Sequence, residues 1–407
     1  MDLSQMVLAL ANAVDLVGVD DASHGKRVGV MAVTCARRLD WTEAEQNLLL
    51  NAGLLHDCGV SSTRTHGDLV ASFDPDPAGT EAHCTKGAGI LERFTPLAPL
   101  APIVRYHHTH WADLAKAGLA PALARSANLL HLVDRADMLA VPHHLADTVL
   151  HHAEEIRRQV AEYRGTFFGP ELLDAFLEVS RAEAFWLGQG RDYLGQTLED
   201  LVSPDQTCAV DGDDLKQWAL IMAEIVDAKS PFTAEHSLGV ARVACCLAEL
   251  AGLPSERIER LEMAALLHDV GKLCIPDQIL EYPSQLSPED RSVMRRHSFA
   301  SYQILRRIHG FEDLALWAAL HHESMNSDGY PFRLGPEALP LEARILKVAD
   351  VYQAMAQRRP YRGPWPPDQI LALLVDMQTN REVDPHMVDL VARNLDRCHR
   401  AAIGTAA

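Results

Sequence analysis

Apolar residues along this chain recur at helical spacing, and no stretch combines β-branched enrichment with strict period-two alternation. The pattern therefore predicts helices almost throughout. Thr42-Glu-Ala-Glu45 reads as a capping box ahead of the apolar run AEQNLLLNAGLLHD. Ser287-Pro-Glu-Asp290 reads as another, with Pro288 at the first helical position and Val293, His297 and Ile304 following on one face. The N-terminal stretch MDLSQMVLALANAVDLVGVDD has an apolar core but opens with Asp2 and lacks a basic leader, so it reads as a helix and not a signal peptide. No uncharged apolar run reaches 18 residues, the least a membrane span needs. These features predict an all-α protein with no membrane segment, residing in the cytoplasm.

The same pattern occurs twice. His24, His56-Asp57, His83, His107-His108 and Asp134 return as His236, His268-Asp269, His297, His321-His322 and Asp350, at offsets of 212, 212, 214, 214 and 216. A drift of four residues across 110 is hard to produce by chance. The flanks agree: LLHDCG matches LLHDVG, and FGPELLDAFL resembles VDPHMVDLVA. A unit near 200 residues is far longer than a solenoid repeat, so the chain reads as a duplicated domain. The pattern lapses at Gly188-Gln-Gly-Arg, Ser203-Pro-Asp and Asp211-Gly-Asp-Asp, which is turn and linker chemistry. The predicted architecture is two helical bundles in tandem, residues 1–205 and 206–407.

Composition sharpens this picture in one respect. The 407 residues include 20 histidines, which points to metals. Thirty-seven Lys and Arg against 56 Asp and Glu give −19, a surface that repels duplex nucleic acid and anionic lipid. Eight cysteines form no CxxC pair and read as buried reduced thiols. In AALLHDVGK, His268 and Asp269 end an apolar helix; neighbours on a helix diverge by about 100°, so both can face one metal only where the backbone turns, as Gly271 suggests. Donors from several helices of a bundle converge on its core. His and Asp together suit Fe, Mn, Zn or Ni, and seven donors per repeat exceed what one ion needs, so two ions sharing a carboxylate is the natural count.

His236, HDVGK (268–272), His297 in RRHSFAS, HHESMNSDGYP (321–331), Asp350 in VAD and RRPYR (358–362) together resemble the HD-GYP subfamily of HD-domain phosphohydrolases. The first repeat resembles a plain, divergent HD domain. The resemblance implies helical HD-type bundles and a metal-dependent phosphodiesterase acting on cyclic di-GMP, giving linear pGpG, or on 3′,3′-cyclic GMP-AMP. By position it implies that His236, His268 and Asp350 hold one divalent ion and that His297, His321 and His322 hold the other. Asp269 would bridge them, and Fe or Mn are the expected metals, with Zn or Ni as alternatives. Asp269 and Lys272 are the implied catalytic pair. Lys272, Arg359 and Arg362 would meet substrate phosphates, and Tyr330 would line the pocket. Two such cations, about 3.5 to 4 Å apart, activate a water between them.

The chain departs from the family pattern in several places. The common Asp-Gly-x-Gly-Tyr-Pro reads Asn326-Ser327-Asp328-Gly329-Tyr330-Pro331, and Ser230 and Gln353 stand where many members have Asp. Three-metal members have Glu where Phe232 stands, which predicts two ions, with Glu235 the candidate ligand for any third. The first repeat keeps a second candidate metal set, His24, His56, Asp57, His83, His107, His108 and Asp134. Val60 replaces Lys272 there, Thr109-His110-Trp111 follows the histidine pair without GYP, and no RxxR follows Asp134. That domain is expected to be regulatory or structural. The rival readings are a non-catalytic metal-bearing sensor that binds nucleotide or protein, and a phosphohydrolase of dNTP or (p)ppGpp. Partners consistent with the reading are a cyclic dinucleotide, a second copy of the chain and signalling proteins.

Overall fold

The computed structural model describes residues 3–18, 23–60, 62–70, 72–73, 77–201, 212–229, 235–358 and 362–404. Helices carry these residues, and no strand is formed among them. The chain divides into two compact units, residues 2–209 and 210–407. Each is a helical bundle.

Local signals set the helix ends. Thr42 caps the helix Glu43–Leu55 with the full reciprocal box, its hydroxyl accepting from Glu45 N–H while Thr42 N–H donates to Glu45 Oε2 at 2.9 Å. Ser287 caps Pro288–Met294 on one side only, since the shorter Asp290 carboxylate takes the Ser287 hydroxyl at 2.9 Å instead of its N–H. The face predicted to run from Val293 to Ile304 is interrupted: the helix ends at Met294 and a new one, Arg296–Leu305, begins after Arg295. His297 is thus the second residue of a helix.

Equivalent helices pack in equivalent ways. In the first unit His24–Arg38 lies against Glu43–Leu55 and Pro121–Leu145; in the second His236–Leu250 lies against Ser255–Leu267 and Leu341–Ala356. The apolar face of Glu43–Leu55 buries Leu49, Leu50, Leu54 and Leu55, and that of Ser255–Leu267 buries Leu261, Ala264, Leu266 and Leu267. The similar segments FGPELLDAFL and VDPHMVDLVA are the matching helices Pro170–Val179 and Pro385–Arg393, each with proline in the first turn. Burial of these faces orients the donors inward.

The glycine after each His-Asp pair has a steric role. A Cβ on Gly271 would sit 2.1 Å from the carbonyl oxygen of His297 and 2.7 Å from Ser301 N, and one on Gly59 would sit 2.1 Å from His83 O and 2.7 Å from Gly87 N. In both bundles the His-Asp turn lies directly on the backbone of the helix that supplies the next histidine. Gly271 therefore serves close approach, since its φ is not in the left-handed region. Ser301 fastens the contact: its hydroxyl accepts from Gly271 N–H at 2.9 Å and donates to His268 O at 2.8 Å. Gly271→Ala is expected to cost about 3 kcal/mol, near the top of the range for overpacking, because backbone and not a flexible side chain must yield. Chemical denaturation measures it, and an unchanged midpoint would refute the close-contact account.

Candidate metal centre

In the second bundle the donors come from five places. His236 opens its helix, His268 and Asp269 follow the end of Ser255–Leu267, and His297 lies on Arg296–Leu305. His321 and His322 sit in the turn Leu320–His322, and Asp350 lies inside Leu341–Ala356. Their atoms form two groups: donor atoms of His236, His268 and Asp350 lie within 4.8 Å of one another, and so do those of His297, His321 and His322. Asp269 stands between. Its Oδ2 is 3.6 Å from His236 Nε2 and 3.1 Å from His268 Nε2, whereas its Oδ1 is 3.5 Å from His297 Nε2 and 3.9 Å from His321 Nε2. One oxygen faces each group.

Hydrogen bonds on the far side of each ring fix which nitrogen faces inward. His268, His297 and His321 place Nδ1 at 2.7, 2.6 and 2.5 Å from the carbonyls of Ala265, Met294 and Ala318. A carbonyl only accepts, so Nδ1 carries a proton in each ring and Nε2 is the nitrogen turned to the centre. His297 Nε2 and His321 Nε2 are 3.3 Å apart, and two lone pairs at that distance repel unless a cation lies between. His268 Nε2 and Asp269 Oδ1 are buried without a hydrogen bond of good geometry. A buried donor set of this kind fits divalent metal ions.

Charge follows the same plan. Burial works to raise the Asp269 pKa, but His268, Lys272 and His297 outweigh it and hold the carboxylate well below the usual range. Burial likewise opposes ionisation of Asp350, and its bond and charge interaction with His236 prevail. Burial pushes His297 down to about 4 and His321 down to about 3, so both are neutral at pH 7, whereas at His268 burial is outweighed by the Asp269 and Asp350 carboxylates, which raise its pKa and which a bound cation would offset. Neutral imidazoles and ionised carboxylates are the forms that bind metals.

The remaining predicted residues have defined places. Lys272 Nζ is 2.5 Å from Asp269 Oδ2. The Tyr330 ring lies 4.8 Å from that of His322, with the Arg295 guanidinium 5.1 Å from its centroid on the Tyr330 ring. Glu235 is exposed, in left-handed backbone with φ 67°. Arg359, Ser230 and Phe232 lie outside the described residues. Arg362, expected to meet phosphate, donates here to the carbonyl of Ala354 at 2.9 Å and stacks over Trp365 at 5.0 Å. Its nearness to a helix C-terminus, whose last carbonyls are unsatisfied, explains these contacts.

The first bundle repeats the geometry closely. Asp57 Oδ2 lies 3.9 and 3.5 Å from His24 and His56 Nε2, and Oδ1 lies 3.6 and 3.9 Å from His83 and His107 Nε2. Two residues break the likeness. Arg135 donates to Asp134 Oδ2 through Nε at 3.1 Å and Nη2 at 2.8 Å, where the second bundle has Val351. Cys84 joins His83, His107 and His108 in one donor group, where the second bundle has Ser298.

Sequence reading missed the supporting roles of Asp15, Asp227 and Asp137, which the offsets could have revealed, and marked Gln353 only as a departure from the family pattern. Asp15 and Asp227, 212 apart, accept from Gly25 N–H and Ser237 N–H at 3.0 and 3.2 Å and so anchor the starts of the first histidine helices. Asp137 and Gln353, 216 apart, hold Nδ1 of His24 and His236 at 2.8 and 2.6 Å. Arg27 binds Asp137 at 2.7 Å, while its counterpart Gly239 leaves room for Gln353, whose amide lies 2.5 Å from where a Cβ would be.

HD-domain family models match residues 21–141 and 220–387. The chain is 33% identical to a protein named 3′3′-cGAMP-specific phosphodiesterase 1 of Vibrio cholerae, over 99% of this chain and 94% of that one. It is 29% identical to 3′3′-cGAMP-specific phosphodiesterase 3 of the same organism, over 94% and 92%. A cyclic di-GMP phosphodiesterase response regulator of Xanthomonas campestris pv. campestris is 39% identical, but over only 42% of this chain and 46% of its own. The crystal structure of a cyclic GMP-AMP specific phosphodiesterase from V. cholerae shares the fold, with TM-score 0.68 over 97% of this chain and 98% of that one at 22% identity. With both HD modules matched, a full-length relative and the GYP turn set against the histidine cluster, the chain belongs to the HD-GYP family, carrying two HD domains in tandem.

Proposed function

We propose that the second domain hydrolyses a phosphodiester bond of a cyclic dinucleotide at a two-metal site. His236, His268 and Asp350 hold one ion, His297, His321 and His322 hold the other, and Asp269 bridges. The observation that carries this reading is the split of Asp269, whose two oxygens face two separate donor groups. The ions are Fe or Mn, which an imidazole and carboxylate set suits. Bound there, they supply Lewis acidity at the scissile phosphate and an activated water. Lys272, already against Asp269, offers a fixed cation to the phosphate oxygens, and Tyr330 walls the site beside His322. 3′,3′-Cyclic GMP-AMP ranks ahead of cyclic di-GMP as substrate, because two relatives that share nearly the whole tandem chain bear its name. The first domain, with Val60 in place of the lysine and Asp134 taken up by Arg135, does not hydrolyse substrate.

The test is chromatographic assay of the full-length, metal-loaded protein against both cyclic dinucleotides. A linear dinucleotide from cyclic GMP-AMP is expected. Failure to open either substrate would overturn the reading in favour of a metal-bearing sensor.

Gln353 accepts from His236 Nδ1–H through its side-chain oxygen, which leaves Nε2 to face Asp350 at 3.3 Å. Gln353→Ala is expected to weaken metal binding by roughly 10–100-fold, the usual cost of losing an outer partner of a histidine ligand. Competition with a chromophoric chelator measures it. Unchanged affinity would remove Gln353 from this role.

A further inference from the structure

The histidine cluster of the first domain differs from its counterpart by one sulfur. Cys84 follows His83 on the helix Pro77–Glu92, and its side chain is buried at 3% exposure. Sγ lies 3.6 Å from His83 Nε2 and 3.5 Å from Nδ1 of His107. His83 Nε2 and His107 Nε2 are 3.4 Å apart, and the His108 ring centroid is 5.0 Å from that of His83. Bonds of about 2.0–2.1 Å to nitrogen and 2.3 Å to sulfur place the ligand atoms of a tetrahedral zinc roughly 3.3–3.6 Å apart. The observed separations of 3.4 and 3.6 Å match that spacing. His107 Nδ1 sits 2.7 Å from the carbonyl of Val104, so its proton is there and Nε2 is the free donor.

We propose that His83, Cys84, His107 and His108 form a closed, mononuclear zinc site of three nitrogens and one thiolate, with a structural and not a hydrolytic role. A second, independent feature points the same way. The companion group that would hold a second ion has lost half of its carboxylate, because Arg135 takes Asp134 Oδ2 through two nitrogens and also donates to the carbonyls of Leu69 and Ser72 at 3.4 Å. A guanidinium bonded to the ligand carboxylate opposes a second divalent cation by charge alone. On binding, the Cys84 S–H loses its proton to solvent and the sulfur lone pair joins Zn²⁺, so one proton is released per ion. Thiolate favours Zn²⁺ over the harder Mn²⁺, so the two domains of one chain select different metals. Four protein ligands leave no open position for substrate or water, as in structural zinc sites generally. This inference does not depend on what the second domain hydrolyses.

The test uses the full-length protein stripped of metal and loaded with Co²⁺, whose thiolate complexes absorb by charge transfer in the near ultraviolet. The parent is expected to show that band, and Cys84→Ser is expected to lose it while still binding cobalt at the histidines. Serine occupies the equivalent position 298, so this variant should fold, and helix content and melting of the metal-free protein verify it. Chelator competition should show the tightest Zn²⁺ site weakened by more than the roughly 10–100-fold that outer-shell changes cost. X-ray absorption at the zinc edge of the parent, which needs no variant, should show a sulfur neighbour at about 2.3 Å. A parent without the charge-transfer band, a band that persists in Cys84→Ser, or a zinc shell of nitrogen and oxygen alone would each overturn the proposal.

Discussion

Asp269→Asn is expected to lower kcat/KM for cyclic dinucleotide by roughly 10³-fold, about 4 kcal/mol in the transition state. The size follows from how many groups meet at that carboxylate. Within 4 Å it faces His236, His268, His297, His321 and Lys272. An amide of the same shape keeps one oxygen and turns the other into an N–H donor, so it serves one donor group and repels a cation at the other. Loss of the anion also frees Lys272 from its 2.5 Å partner. The same change at Asp57, which faces His24, His56, His83 and His107 at 3.5–3.9 Å, is expected to leave most of the activity. The two variants make the same chemical change in the two domains, so steady-state kinetics on the pair assigns turnover. If Asp57→Asn abolished hydrolysis and Asp269→Asn did not, the roles of the domains would be inverted.

What the sequence made legible is what repeats or periodicity encode. Helical spacing led to an all-α reading, and the near-constant offset of the histidines exposed the duplication, because a folded core fixes the separation of its inward donors. The division of donors into two groups with Asp269 between them came from resemblance, since no spacing rule says which of two oxygens faces which ring. Contacts between distant segments were not legible. Gly271 looked like a turn residue and is instead a close-contact residue, a fact carried by the backbone of His297 some 26 positions away. That the Arg362 guanidinium meets the carbonyls of the neighbouring helix end was not legible either. Gln353 looked like a missing aspartate, yet its amide oxygen does the same work on His236. Ser327 also breaks the family pattern, and its φ of 66° explains why glycine is common there. Cys84 passed for an ordinary core thiol because one sequence position says nothing about which side chains surround it.

Glu323→Ala is expected to cost about 2–3 kcal/mol of stability and roughly 10²-fold in kcat, with the metal content of the protein retained. Glu323 follows the histidine pair and is buried at 1% exposure. Its Oε1 accepts from Phe332 N–H at 2.7 Å and Arg333 N–H at 2.9 Å, and its Oε2 accepts from Leu334 N–H at 3.2 Å. One carboxylate therefore gathers three successive backbone donors from the segment just after Tyr330-Pro331. Gly329 seals the other side of the loop, since a Cβ there would lie 2.4 Å from Glu323 Cα. The loop cannot supply these acceptors itself: Arg333 is in left-handed backbone at φ 55°, and no strand or helix pairs the segment. Removing the carboxylate leaves three donors to find water, and Tyr330 loses the anchor that keeps its ring against His322. Glu323→Gln should be milder, because its retained oxygen can still accept from Phe332 and Arg333 while the new amide faces Leu334 N–H. Denaturant midpoints and single-turnover rates on the two variants measure the gradation. Parent-like stability and rate in Glu323→Ala would show that the GYP turn is held by its own packing and not by this clamp.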